Sequence, residues 1–213
     1  MKTVFTLALA ALLSACGSTP PAPDWQANAF AALKSYASAY LTGNSRVAEF
    51  EFARAKADIS STGRLDTLAR AELTRCALHV ASLDFDDCAP YQALAADALP
   101  GERAYASFLA GQWQGLDAQL VPPAYRKLLS LPAPAASPSS ALAAMEDPLS
   151  RLIAAGVLLR TQRITPADMA VALDTASTQG WRRPLLAWLG VHLQRAQAAD
   201  QTDAAAALQR RIT

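Results

Sequence analysis

Three cysteines and two histidines are the residues in this chain best suited to bond making, electron transfer or metal binding. Cys76 and His79 stand one helical turn apart, and Cys88 follows after Asp84, Asp86 and Asp87. A thiolate and an imidazole at that spacing could begin a zinc site. The set needs further ligands, however, and carboxylates are poor partners for a thiolate-rich zinc centre. No Cys-x-x-Cys pair is present for thiol–disulfide catalysis. His79 and His192 each lie in apolar helical sequence, where a lone histidine is more often a packed or surface residue than a catalyst. The chain has no Gly-x-Ser-x-Gly elbow, no phosphate-cradling glycine loop and no His-Glu-x-x-His. Glu49 and Glu51, two apart on a helix, point to different faces and are poorly placed for paired acid–base work. The expectation is therefore a protein that is not an enzyme, with no catalytic set, no cofactor and no metal ion.

The most unusual local stretch is Gln179-Gly180-Trp181-Arg182-Arg183-Pro184. A Trp beside two Arg at a turn between helices is what a protein-binding hot spot uses. In the plainer arrangement Trp181 packs under the turn, while the arginines pair with carboxylates or cap the carbonyl end of a helix. Arginine at a helix start is unfavourable for the helix dipole, which hints at some other use. The plainer arrangement is favoured, with Trp181, Arg182 and Arg183 kept as candidate partner contacts.

The third cysteine sits in a different pattern. Lys2, the apolar run Val4 to Leu13 and Leu13-Ser14-Ala15-Cys16 follow one another at the N-terminus. The run is too short for a membrane-spanning helix and has the proportions of a signal peptide's apolar core. Leu-Ser-Ala-Cys resembles a bacterial lipobox. The resemblance implies removal of residues 1–15 and attachment of acyl chains to Cys16. Burying each methylene is worth about 0.8 kcal/mol, so two or three chains anchor durably where one does not. In lipoproteins of two-membrane bacteria an Asp after the lipidated cysteine commonly keeps the protein in the inner membrane. Gly17 stands there instead, implying the periplasmic face of the outer membrane. That compartment is oxidising, and Cys76 with Cys88 is then an even pair expected to form a disulfide. The bridge would close a loop of about a dozen residues and contribute roughly 3 kcal/mol on the chain-entropy account.

Removing residues 1–15 takes away Lys2 and leaves 18 basic against 18 acidic residues. A neutral chain is not a polyelectrolyte binder, which argues against nucleic acid and against electrostatic adhesion to lipid. Ala, Leu and Arg dominate over Val, Ile and Thr, favouring helix over strand. The fold class expected is all-α: an irregular bundle or a short helical-repeat array of paired antiparallel helices.

Residues 16–23 read as the lipidated cysteine and a Pro-rich spacer. Residues 24–129 form a first helical part, 130–140 a Pro/Ala/Ser loop, and 141–213 a second helical part packed with the first. Asp24, Asn44, Asp147 and Thr202 are suited to cap helices, and Gly43 and Gly63 to end them. Thr165-Pro166-Ala167-Asp168 has the form of a capping box with Asp in place of Glu or Gln. Asp66 before Arg70 and Glu72 before Arg75 would support an exposed helix face. From Gln112 to Leu129, Gly115, Pro122 and Pro123 predict turns and one short helix around Tyr125. The helix after Arg183-Pro184 carries Leu185, Leu186, Trp188, Leu189, Val191 and Leu193 nearly all round, which predicts a place in the middle of the core. The segment from Ala187-Trp188-Leu189-Gly190 to Leu208 loosely resembles a terminal tetratricopeptide hairpin, though its turn comes about two residues late.

The functional expectation is a membrane-anchored adaptor or assembly factor whose partners are the lipid bilayer and another envelope protein. A carrier of a lipid or small hydrophobe is the alternative, with Phe30, Tyr36, Tyr40, Phe50, Phe52, Tyr105 and Phe108 free to line its pocket.

Overall fold

The computed structural model describes residues 23–130 and 142–213. The lipobox with Cys16, and nearly all of the loop expected at 130–140, lie outside the described residues. Among those described the chain is all-α, with ten α-helices, one 3-10 turn and no strand. No described helix is long and apolar enough to cross a membrane.

Helix α1 (Asp24–Thr42) and α2 (Ser45–Ser60) form a hairpin. Gly43 closes it at φ 91°, a left-handed conformation that favours glycine. Asn44 caps α2, its side chain accepting from the Val47 N–H at 3.3 Å. Helix α3 (Leu65–Ala81) returns after Gly63, and two shorter helices follow, α4 (Ala89–Gln92) and α5 (Pro100–Leu109). The 3-10 turn Pro123–Tyr125 leads into α6 (Arg126–Leu129). Helices α7 (Pro148–Arg160), α8 (Pro166–Thr178), α9 (Arg182–Ala198) and α10 (Thr202–Ile212) complete the chain.

The Asp147 carboxylate accepts from the Ser150 N–H at 2.6 Å, starting α7. Thr165 and Asp168 form the reciprocal box, with bonds of 3.0 and 3.2 Å. Aspartate serves there because the Thr165 hydroxyl also donates to it at 2.7 Å, and the residue is fully buried. Asp24 and Thr202 begin their helices rather than cap them; Pro23 and Gln201 hold the preceding positions.

The middle of the core belongs to α7, not to α9. Residues Leu152 to Leu158 are buried without a break. On α9, Pro184, Trp188, Leu189 and Ala196 are buried, while Leu185, Leu186, Val191 and Leu193 are half-buried. Size decides this. The run Ala154-Ala155-Gly156 lets α7 approach α3 so closely that a Cβ on Gly156 would sit 2.2 Å from the Val80 carbonyl oxygen. The broader side chains of α9 hold it farther out, against α8 and α10. One core cluster runs from Ala69 to Trp188, so residues from both described segments, 23–130 and 142–213, share it.

Two charges of α3, Arg70 and Glu72, are paired across to other helices, and Asp66 pairs locally at the helix start. Asp66 pairs with Arg64 at 3.0 Å, Arg70 with Glu102 of α5 at 2.7 Å, and Glu72 with Lys56 of α2 at 2.6 Å. Arg75 lies over the Phe52 ring, 5.3 Å from its centroid. A surface pair within a helix is worth only a few tenths of a kcal/mol. A carboxylate as buried as Glu72, 2% exposed, must find a cation wherever packing supplies one.

Candidate functional site

At the C-terminal end of α3 the chain doubles back through Asp84 to Asp87. The doubling back brings Cys88, just before α4, onto Cys76. The two form a disulfide, their Cα atoms 5.8 Å apart. Cys76 is buried and Cys88 half-buried. The Cys88 N–H donates to Asp86 Oδ1 at 3.1 Å, and its backbone stands at φ 52°. The donor atoms of Cys76, Asp86 and Cys88 all lie within 4.8 Å of one another, the one such group of potential metal ligands among the described residues. Both sulfurs are consumed by the bridge.

His79, one turn after Cys76, faces the same loop. Its Nδ1 is 3.3 Å from Asp84 Oδ2 and 3.4 Å from Asp86 Oδ2, close enough for attraction but not aligned as a hydrogen bond. The imidazole stacks on Tyr40 at 4.9 Å, and Arg183 lies 4.3 Å from the same Tyr40 ring. Burial holds the His79 imidazole below its ordinary value of 6.5, with Arg75 and Arg183 adding to that and the two carboxylates opposing it. The unfolded chain therefore takes up this proton more readily than the folded one. The contribution to stability is complete above about pH 6.5 and is lost as pH falls through the folded value. With the disulfide intact, Tm is expected to fall between about pH 7.5 and 5.5, and His79→Asn to flatten that slope. An unchanged slope in the variant would assign the acid sensitivity to other groups.

Trp181, Arg182 and Arg183 are brought to the neighbouring face. Trp181 is half-buried against both the main core and the α1–α2 cluster. Arg183 donates to the Tyr40 carbonyl at 2.8 Å and to Ser45 Oγ at 2.8 Å. An arginine at the positive end of its own helix thus serves the negative end of α1, which accounts for its placement. Arg182 is exposed. Of the three candidate contacts, two are engaged within the chain, and Arg182 alone of them offers an exposed side chain.

A second site escaped the sequence reading. Between α3, α5 and the segment 120–126 lies an open groove of about 460 Å³. Leu73, Leu99, Tyr105, Leu120, Val121 and Pro122 form its apolar lining, and Arg70, Glu102 and Arg126 its polar points. One carboxylate braces two walls: Glu102 accepts from Arg70 Nε at 2.7 Å and from the Leu99 N–H at 2.8 Å. Arg126 fastens the third wall, donating to the Val121 and Gln119 carbonyls, each at 3.0 Å. Below, Tyr105 stacks on Tyr125 at 5.6 Å and Phe108 on Tyr125 at 4.7 Å. The available signal was the apolar run Leu120-Val121-Pro122-Pro123 inside a segment otherwise read as turns. Compared with known proteins, the chain matches no family model, no curated protein and no solved structure.

Proposed function

We propose that the chain is a lipid-anchored helical adaptor of the cell envelope, holding an apolar segment of another protein in the groove between α3 and α5. The observation that carries this reading is the groove's open edge, where Leu99 and Leu120 stand 46% and 44% exposed. Apolar side chains gathered at the rim of a groove are what a docking site for another protein presents. A carrier of a small hydrophobe would instead enclose about 70–90% of its ligand. The aromatics expected to line such a pocket are employed otherwise. Tyr36 packs on Phe52 at 4.8 Å, Phe108 is buried, and Phe30 and Phe50 point outward at 71% and 66% exposure. Only Tyr105 of that set lines the groove.

The anchor at Cys16 rests on Leu13-Ser14-Ala15-Cys16, and the periplasmic face of the outer membrane on Gly17 in the place of Asp. Detergent-phase partitioning of the native protein against Cys16→Ser tests the anchor separately from the groove, and sucrose-gradient separation of the two membranes tests the location. For the groove, a photo-crosslinking residue at Leu120 should give one reproducible protein adduct in intact envelopes, and the same residue at exposed Ser60 should not. Leu99→Glu should abolish that adduct while moving stability by no more than about 0.5 kcal/mol, as for other surface changes. Equal labelling from both positions, or an adduct indifferent to Leu99→Glu, would remove the groove from the account.

A further inference from the structure

Granted that the groove between α3 and α5 docks an apolar segment of another protein, we propose that the segment carries an acidic side chain, which Arg70 selects at the groove's rim. The charged residues of the lining are Arg70, Glu102 and Arg126, two cations against one anion. The anion is already engaged. The buried Glu102 carboxylate accepts from Arg70 Nε at 2.7 Å and from the Leu99 N–H at 2.8 Å. Arg126 donates only to uncharged oxygens, the Val121 and Gln119 carbonyls at 3.0 Å and Gln119 Oε1 at 3.5 Å. An uncompensated positive charge is therefore fixed beside an apolar lining.

Arg70 is the cation with donors to offer. Its Nε is spent on Glu102, which aims the guanidinium, and its two terminal nitrogens have no partner among the described residues. Its side chain is 64% exposed, which puts it at the mouth of the groove rather than the floor. The terminal nitrogens of a guanidinium are spaced to receive both oxygens of a carboxylate. An apolar segment seated on Leu99 and Leu120 would shield that pair from water and so strengthen it.

A basic residue in the same place would meet like charge, so the groove discriminates by sign as well as by hydropathy. A recess between helices takes side chains one at a time. That suits a chain segment rather than the surface of a bilayer.

The test begins with the full chain carrying a photo-crosslinking residue at Leu120, irradiated in intact envelopes. The segment joined to it is read by mass spectrometry and should hold Asp or Glu among or directly beside its apolar residues. The same segment is then made as a fluorescent peptide in two forms, with the acidic residue kept or changed to its amide. The wild-type chain should bind the acidic form about fivefold more tightly at low salt, and the gap should narrow as salt is raised. Arg70→Gln combined with Glu102→Gln removes the cation together with its buried partner, so no carboxylate is left stranded. That double variant should bind both forms alike, at the wild-type affinity for the amide. A complete lack of adduct, or an adduct with lipid, removes the groove as a protein-docking site and this inference with it. A captured segment without an acidic residue, or equal wild-type affinity for the two peptides, overturns the acidic selection and leaves the docking site standing. A preference that survives in the double variant overturns it too, since Arg70 is then not the selecting contact. The peptide comparison uses the wild-type chain, so it decides even where the double variant fails to fold.

Discussion

Gly156→Ala is expected to destabilise the protein by about 3 kcal/mol, at the upper end of what overpacking costs. In an open helix the same change would stabilise by nearly 1 kcal/mol, because glycine is the poorer helix former. Here the new methyl would meet the Val80 carbonyl oxygen at 2.2 Å and its carbon at 3.0 Å. Both are backbone atoms of α3, so no rotamer change relieves the contact. Helix α7 cannot retreat either, since Leu152 to Leu158 are buried. For a chain of this size the loss corresponds to a fall in Tm of roughly 6–12 °C. Gly190→Ala on α9 is the matched control, with nothing within 4 Å of its added Cβ. It should leave Tm unchanged or raise it slightly. A Gly156→Ala protein as stable as the parent would mean that α7 and α3 do not cross at this point.

The second large effect is expected at Trp188, which is fully buried in the main core. Trp188→Ala removes the whole indole and should cost about 3–5 kcal/mol. Trp188→Phe should cost much less than the volume lost would suggest. The indole Nε1 is buried and finds no hydrogen-bond partner among the described residues. Deleting that N–H relieves a penalty of about 1–3 kcal/mol and offsets part of the cavity. Urea midpoints of the two variants decide the matter. Equal losses would show that the indole nitrogen is satisfied in solution.

Where an element's cause is local, the sequence was sufficient to place it. Asn44 and Asp147 cap through bonds to the third residue on, and Gly43 ends α1 by its own conformational freedom. Thr165 and Asp168 likewise need only each other. Arg183 shows the limit of such reasoning. Its type and its awkward place at a helix start were visible, yet its partners Tyr40 and Ser45 lie more than a hundred residues away. The groove was less legible still, because Leu73, Leu99 and Leu120 belong to three segments, none remarkable alone.

The order of residues along the chain determined that it is helical, where most helices begin and end, and that Cys76 and Cys88 were the pair available to bridge. Those are outcomes of bonding over a few residues or of composition, and they carry over into any packing. The tertiary structure decided which helix is central, which charges meet and where an apolar surface is left open. Each depends on how closely two backbones approach, and at α7 and α3 that distance is set by the missing side chain of Gly156.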